Sequence, residues 1–145
     1  MQINMWLSKA RLFKFPLRRF AIYYTKEHEW LNYNPDQKQG ILGITDHAQS
    51  QLGDVVHIDL PEMDSTFGTG DVIGVVESVK TVADIYSPVS GKIVEVNSGL
   101  PEEPETINSS PEDNGWICKI SLDNPSELEG LMDKAGYDKF LEEEA

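Results

Sequence analysis

Alternating apolar and polar residues run through most of the chain and predict many short strands. Outside a central hairpin, the stretches with this pattern are residues 23–35, 39–45, 54–61, 91–97 and 115–122. Turn signals such as Asn34-Pro35 and Pro61 separate them. Residues 97–115 are rich in proline and acidic residues and predict a long solvated loop. Together these features predict a mainly β protein, built as a small sandwich or barrel.

Two segments have helical signals instead. Thr45 can cap a short helix over residues 46–52, which Gly53 would end. Asn124 offers a second N-cap, with Pro125 at the first helical position. The apolar residues that follow are predicted to form one stripe facing the core: Leu128, Leu131, Met132, Ala135, Phe140 and Leu141.

The central hairpin, GVVESVKTVADIYSPVSG at residues 74–91, has Lys80 at its apex. The apex lacks the Asn-Gly or Gly-Gly pair of a tight two-residue turn, and it has no acidic residue beside the lysine. Gly70 and Gly91 bracket two arms of nearly equal length, and Ser87-Pro88 ends the second arm. A rigid mount of this kind presents one amine for modification, and an amide there would remove the charge. The alternative is an ordinary solvated lysine.

The charge distribution restricts the partners. Residues 21–145 contain 25 acidic and seven basic residues, a net charge of −18. Such an acidic body does not follow a phosphate backbone, so no nucleic acid partner is predicted. Proteins or cofactors with basic surfaces are the better candidates.

The first 20 residues have the opposite character. Residues 1–26 contain six basic residues and no acidic residue, and basic positions flank an apolar stripe at helical spacing. This pattern resembles a mitochondrial transit peptide over residues 1–20, and a disordered or membrane-surface tail is the alternative. No stretch approaches the ~18 apolar residues of a transmembrane helix, so membrane insertion is not predicted.

Chemical motifs are scarce. Cys118 is the single cysteine and is predicted to be a buried strand residue, so dithiol chemistry would require an attached cofactor. His28, His47 and His57 lack metal-ligand spacing, so no metal site is predicted. The glycosylation sequon at Asn108 is expected to be inert without secretion. No catalytic motif is present, and the sequence therefore predicts no catalytic residues.

Four ordered blocks resemble the glycine cleavage system H-proteins. They are HEW at 28–30, GITDHAQSQLGDVVHIDLPE at 43–62, ESVK with ADIYSPVSGKIVEVN between 77 and 97, and INSSP with GW between 107 and 116. The resemblance extends from about Tyr23 to Phe140. Biotin carriers, the nearest alternative, usually have Met on both sides of the lysine, whereas Lys80 lies between Val79 and Thr81.

The resemblance implies a lipoyl/biotinyl-type flattened β-barrel (a barrel-sandwich hybrid) with a short internal helix and C-terminal helices. Residues 21–145 would be the lipoyl-binding domain, with lipoate in amide linkage to Lys80. It implies a carrier rather than an enzyme. The aminomethyl group of glycine would pass from the pyridoxal-phosphate glycine decarboxylase (P-protein) to the folate-dependent aminomethyltransferase (T-protein). Dihydrolipoamide dehydrogenase (L-protein) would then reoxidise the carrier, in the mitochondrial matrix if the leader is a transit peptide.

The same resemblance suggests further site residues. Glu29 and Asp84 match acids expected to accept hydrogen bonds from the aminomethyl-loaded arm when it folds back, and plain surface charge is their alternative. Ser78 is expected to shape the tip for the lipoylating enzyme. Glu77 is either a recognition element for that enzyme or an outward-facing strand residue.

Some positions depart from the family pattern. Gln51 stands where some members have an imidazole, so no histidine is expected in the cleft for the arm. Glu112 stands where many relatives have an aromatic residue, which predicts a looser loop. Trp30 and Trp116 are predicted to be core residues. Two other functions stay open: a lipoyl donor or scaffold for lipoylation of other enzymes, and an unmodified β interaction module.

Overall fold

The computed structural model describes residues 21–144, which form two antiparallel sheets and several short helices. The larger sheet has six strands, in the spatial order β1 (Ala21–Tyr24), β2 (Glu29–Asn34), β3 (Gln39–Ile44), β9 (Cys118–Leu122), β8 (Gly91–Val96) and β5 (Thr66–Phe67). The smaller sheet has three strands, in the order β4 (Val55–Asp59), β6 (Val72–Ser78) and β7 (Val82–Tyr86). The leader predicted over residues 1–20 lies outside the described residues.

One apolar core joins the two sheets. Leu42 and Ile93 of the larger sheet belong to the same cluster as Val76 and Ile85 of the smaller sheet, and each is at most 1% exposed. Burying a side chain of this size contributes about 1.5–3 kcal/mol to the free energy of unfolding. The result is a flattened, open barrel-like body, which confirms the predicted mainly β class.

The helix predicted after Thr45 is present as α1 (Asp46–Leu52). The side-chain oxygen of Thr45 accepts a hydrogen bond from the backbone N–H of Ala48 at 3.2 Å, which caps the first turn. Gly53 ends the helix at φ = 81°, in the left-handed region that glycine adopts without steric cost. Leu52 is buried and anchors α1 to the core.

The prediction of one continuous strand over residues 23–35 is wrong. The chain turns between β1 and β2, where the backbone N–H of His28 donates to the carbonyl of Thr25 at 3.1 Å. His28 has φ = 70°, which reverses the chain and allows Tyr24 to pair with Trp30. Sequence periodicity missed the turn because it contains no glycine or proline.

The loop predicted over residues 97–115 is more ordered than expected. It contains a 3-10 helix at Leu100–Glu102 and α2 (Thr106–Ser109). Leu100 and Ile107 are 2% and 0% exposed and join the main core. These two apolar residues anchor an otherwise acidic segment, so the description as a solvated loop is wrong for its centre.

The C-terminal apolar residues do not form one stripe. Asn124 caps a 3-10 helix at Pro125–Gly130, and α3 (Lys134–Glu144) starts separately. Between the two helices, Met132 forms a backbone bridge with Tyr24. Ala135 is consequently exposed. Among residues 21–144, no helix has the length and apolar character needed to cross a membrane.

A second, smaller apolar cluster lies between α3 and the larger sheet. Tyr137 stacks on Tyr24 with ring centroids 4.7 Å apart. Trp30 is 5% exposed, and its indole N–H donates to the carbonyl oxygens of Ile44 (2.9 Å) and Pro111 (3.1 Å). Trp30 is therefore a core residue as predicted, and the half-buried Trp116 packs against the same cluster.

Candidate functional site

Lys80 lies at the tip of the hairpin formed by β6 and β7. The two strands are joined by residues 79–81, and the N–H of Ser78 donates to the carbonyl of Thr81 at 2.8 Å to close the turn. At the other end of the hairpin, the backbone groups of Asp71 and Ser87 form a 2.8 Å hydrogen bond. Val76 and Ile85 hold the two arms in the core, as the apolar pattern predicts.

The side chain of Ser78 organises the tip from inside. It is 6% exposed. Its hydroxyl oxygen accepts from the backbone N–H groups of Lys80 (3.3 Å) and Thr81 (3.1 Å) and donates to the carbonyl of Thr81 (3.2 Å). Ser78 thus fixes the backbone on which the lysine stands without contacting the ammonium.

A brace outside the hairpin supports the same tip. The N–H of Val79 donates to the carbonyl of Asp54 at 3.0 Å. On either side of Asp54, the side chain of Asn108 accepts from the N–H of Val55 (2.9 Å) and donates to the carbonyl of Gly53 (2.8 Å). The sequence did not indicate this role, because Asn108 stood out only as a sequon and as part of the INSSP block.

The ammonium of Lys80 is exposed, and no other residue between 21 and 144 forms an ion pair or side-chain hydrogen bond with it. A Cβ added to Gly53 would lie 3.5 Å from the Lys80 Cε, so the lysine stem passes the end of α1. Val79 and Val82 beside it are 71% and 61% exposed, and Glu77 is also exposed. The tip therefore presents one amine among apolar residues, with an acid on the adjoining strand.

A cleft of about 180 Å³ lies between α1, the β1–β2 turn and the hairpin. Glu29 and Asp84, predicted from sequence as a pair, both line it. Its wall is otherwise mostly apolar and includes Ile44, Ala48, Leu52, Val76, Ala83 and Ile85. Leu52 directly precedes Gly53, so the cleft begins next to the stem of Lys80.

The two acids differ strongly in environment. Glu29 is 2% exposed; its carboxylate accepts from the hydroxyl of Thr25 (2.7 Å) and the N–H of Tyr86 (3.0 Å). Burial raises the pKa of Glu29 from 4.5 to about 7, although both hydrogen bonds oppose the shift. The alternative that Glu29 is only a plain surface charge is therefore wrong. Asp84, which also lines the cleft, is exposed.

Gln51 and Glu112, two positions that depart from the family pattern, differ from what the sequence predicted. Gln51 lines the cleft as its position suggests, but His28 lines it too, so the cleft does contain an imidazole. Glu112 does not loosen its loop, because its carboxylate accepts a 2.8 Å hydrogen bond from the N–H of Asp46 at the start of α1. That bond joins the 97–115 segment to the helix.

Of the remaining candidate residues, Cys118 and His57 lie in strands of the two sheets. Cys118 is 0% exposed, and burial raises the pKa of its thiol to about 12. This confirms the prediction of a buried strand residue. His57 lies 2.8 Å from Asp59 on the exposed face of β4. His28 and His47, which are distant in sequence, have ring centroids 4.6 Å apart.

Comparison with known proteins identifies the family. The model of the glycine cleavage H-protein family matches residues 22–144. The chain belongs to this family. A glycine cleavage system H protein of Coxiella burnetii is 48% identical over 124 residues, which cover 86% of this chain and 95% of the relative. An H protein of Symbiobacterium thermophilum is 52% identical over 120 residues, covering 83% and 92% of the two chains.

The fold comparison agrees. The crystal structure of a glycine cleavage system H protein from Mycobacterium marinum superposes with a TM-score of 0.75 at 35% identity, covering 82% of this chain and 94% of that one. The predicted lipoyl-type flattened barrel is thereby confirmed. A Schizosaccharomyces pombe relative, named as a mitochondrial H protein, is 48% identical over 84% of this chain and 71% of its own length.

Proposed function

We propose that this H-protein is a lipoylated carrier of glycine cleavage and not itself an enzyme, with lipoate in amide linkage to Lys80. The exposed, unpartnered amine on the braced tip carries the proposal. The hairpin tip fits a lipoyl group, because acylation of Lys80 breaks no ion pair or side-chain hydrogen bond within residues 21–144. A bound lipoyl group would supply the redox-active dithiol that one buried cysteine does not provide.

The exposed surface around Lys80 is the proposed recognition site for the lipoylating enzyme. Ser78 would hold the tip in one conformation, while Glu77, Val79 and Val82 face solvent where a partner could contact them. Glu77 is assigned a recognition role because it is exposed on β6, directly opposite Val82. An enzyme that reads this tip would contact both strands.

The cleft is the proposed resting place of the loaded arm. An aliphatic chain fits its apolar wall, and a protonated amine at the end of the arm would require carboxylate acceptors. Asp84 and Glu29, which both line the cleft, would supply them. A cation beside Glu29 would favour its ionised form and lower its raised pKa.

The proposed partners are the three other components of the system and the lipoylating enzyme. The aminomethyl group would be received from glycine decarboxylase and delivered to the aminomethyltransferase, and dihydrolipoamide dehydrogenase would restore the disulfide. We further propose a mitochondrial matrix location, with residues 1–20 as a transit peptide and 21–145 as the functional domain. The acid-free basic leader and the name of the fission yeast relative support this location.

Intact-mass measurement of the natively isolated protein tests the proposal. We expect one lipoyl increment, mapped to the peptide containing Lys80, and an N-terminus near residue 21. An unmodified chain from cells competent in lipoylation would favour the unmodified interaction module. Glycine-dependent CO2 exchange with the decarboxylase then tests the carrier role. A lipoylated chain that supports no exchange would favour a lipoyl donor or scaffold.

A further inference from the structure

Two histidines and a glutamate from three different elements converge beside the cleft. His28 lies in the β1–β2 turn, His47 in the first turn of α1, and Glu144 at the end of α3. Their candidate ligand atoms all lie within 4.8 Å of one another. His28 Nε2 is 3.3 Å from a carboxylate oxygen of Glu144, and the two imidazole rings are tilted by 41°.

The other ring nitrogen of His28 has a partner of its own. Nδ1 lies 2.8 Å from the hydroxyl of Tyr137, which is 2.8 Å from the hydroxyl of Thr45. In the tautomer with the proton on Nδ1, that N–H donates a hydrogen bond to the Tyr137 hydroxyl. The lone pair of Nε2 then points toward Glu144. Partners of this kind orient metal-ligating histidines in proteins and fix their tautomer.

The backbone fixes His28 as well. Its φ of 70° is in the left-handed region, which is uncommon for residues other than glycine. Its carbonyl accepts from the N–H of Thr45 at 3.0 Å, directly before α1, which carries His47. The two imidazoles therefore approach each other because backbone hydrogen bonds hold the turn against the helix.

The electrostatic setting favours a cation. Residues 21–145 carry a net charge of −18, which attracts cations generally. Net charge alone does not select one cation over another. The two imidazoles and the carboxylate, held close together, provide that selectivity.

We propose that His28, His47 and Glu144 form a binding site for a divalent transition metal, with Zn²⁺ as the expected ion. Two imidazoles and one carboxylate are a common zinc donor set, and three protein ligands leave a further position for water. The three residues line a cavity of about 560 Å³ together with Gln51 and Leu141. The ion would connect the β1–β2 turn, α1 and α3, and it requires no lipoyl group.

Metal titration of the full, tag-free and metal-stripped chain tests this site. Co²⁺ serves as the spectroscopic probe, and Zn²⁺ affinity is measured by competition with a chromophoric chelator. We expect one Zn²⁺ per chain and Co²⁺ visible bands of four- or five-coordinate intensity. His47→Gln and Glu144→Gln should each weaken binding at least about tenfold, and Tyr137→Phe about tenfold through the orientation of His28.

The matched controls are His57→Gln and Glu143→Gln, which alter a histidine and a glutamate outside the cluster. They should leave the affinity unchanged, and Zn²⁺ should raise the Tm of the wild type but not that of His47→Gln. Circular dichroism verifies that each variant folds. Three results would each overturn the proposal. The first is weak Co²⁺ bands of octahedral type, and the second is an equal loss of metal affinity in the site variants and the control variants. The third is full metal affinity in both His47→Gln and Glu144→Gln.

Discussion

The backbone N–H of Tyr86 donates a 3.0 Å hydrogen bond to the buried carboxylate of Glu29. Glu29 begins β2 in the larger sheet, and Tyr86 ends β7 in the smaller one, so this bond connects the two sheets. The acid proposed to receive the arm is therefore also a structural residue. Experiments on Glu29 variants must therefore distinguish its effect on stability from its effect on the loaded arm.

Glu29 should make stability depend on pH. Because its folded-state pKa is about 7 and its ordinary value is 4.5, the folded chain binds more protons than the unfolded chain between these values. Its stabilising contribution is complete below pH 4.5 and is lost as the pH rises through about 7. The shift corresponds to roughly 3 kcal/mol. Urea unfolding at about pH 5 and about pH 8 should show this loss in the wild type and not in Glu29→Gln.

The control for that experiment is Glu62→Gln, which neutralises an exposed acid that is not among the groups shifting the pKa of Glu29. It should keep the wild-type dependence on pH. A Glu29→Gln curve parallel to the wild-type curve would show that Glu29 has no raised pKa.

Asp84→Asn should shorten the lifetime of the aminomethyl-loaded arm. A charge-assisted hydrogen bond contributes about 1.5–3 kcal/mol, so we expect loss of the aminomethyl group to accelerate roughly ten- to hundredfold. Release of ammonia and formaldehyde from the loaded carrier measures this rate. Asp123→Asn removes an exposed acid that does not line the cleft and should leave the rate unchanged. Equal rates in the wild type and Asp84→Asn would exclude Asp84 as an acceptor.

Lys80→Arg should fold normally and carry no lipoyl group. The exposed lysine makes no ion pair or side-chain hydrogen bond within residues 21–144, so the unfolding free energy should stay within about 0.5 kcal/mol of the wild-type value. Intact mass and glycine-dependent CO2 exchange measure the outcome. Lys92→Arg, at an exposed lysine of β8, should remain lipoylated and active. Full activity of Lys80→Arg would refute the attachment site.

Ser78→Ala should slow lipoylation while the fold persists. The substitution removes the hydroxyl that accepts from the N–H groups of Lys80 and Thr81, and the apex should then sample other conformations. We expect a loss of stability of about 1–2 kcal/mol and a lower initial rate of lipoylation in vitro. Ser65→Ala, in an exposed turn outside the hairpin, serves as the control. The role of Ser78 in shaping the tip would be contradicted if Ser65→Ala also slowed lipoylation. It would also be contradicted if Ser78→Ala were lipoylated at the wild-type rate.

Asn108→Ala should destabilise the brace beneath the tip. It leaves the N–H of Val55 and the carbonyl of Gly53 without their side-chain partner, which should cost about 2–3 kcal/mol of unfolding free energy. Hydrogen exchange at Val79 should also accelerate, because its amide is bonded to Asp54 between those two residues. Asn114→Ala, at an exposed position of the same segment, should have little effect on either measurement.

The sequence predicted most of the strands and the cap of α1, because those signals are local, but it merged β1 with β2 and did not indicate β5. Alternation along β6 and the Thr45–Gly53 pair depend on residues a few positions apart, and the structure confirms them. The cleft acids were suggested by family resemblance alone, since periodicity does not show that Glu29 and Asp84 face one cavity. Burial of Glu29 was missed because a charged residue beside a turn usually faces solvent.

The remaining errors involve long-range contacts. Asn108 reaches Gly53 and Val55 across more than fifty residues, and no local pattern encodes such a contact. The convergence of His28 with His47 similarly depends on how the β1–β2 turn packs against α1. The split C-terminal stripe has a comparable origin, because pairing of Met132 with Tyr24 competes with helix continuation.

The burial of Cys118 has a consequence for any disulfide carried at Lys80. Thiol–disulfide exchange requires an attacking thiolate, and a thiol with a pKa of about 12 and no exposed surface supplies almost none. Because the chain has no second cysteine, the protein would not form a mixed disulfide with its own arm. Electron transfer would then be confined to the two sulfurs of the arm and the enzymes that dock with it.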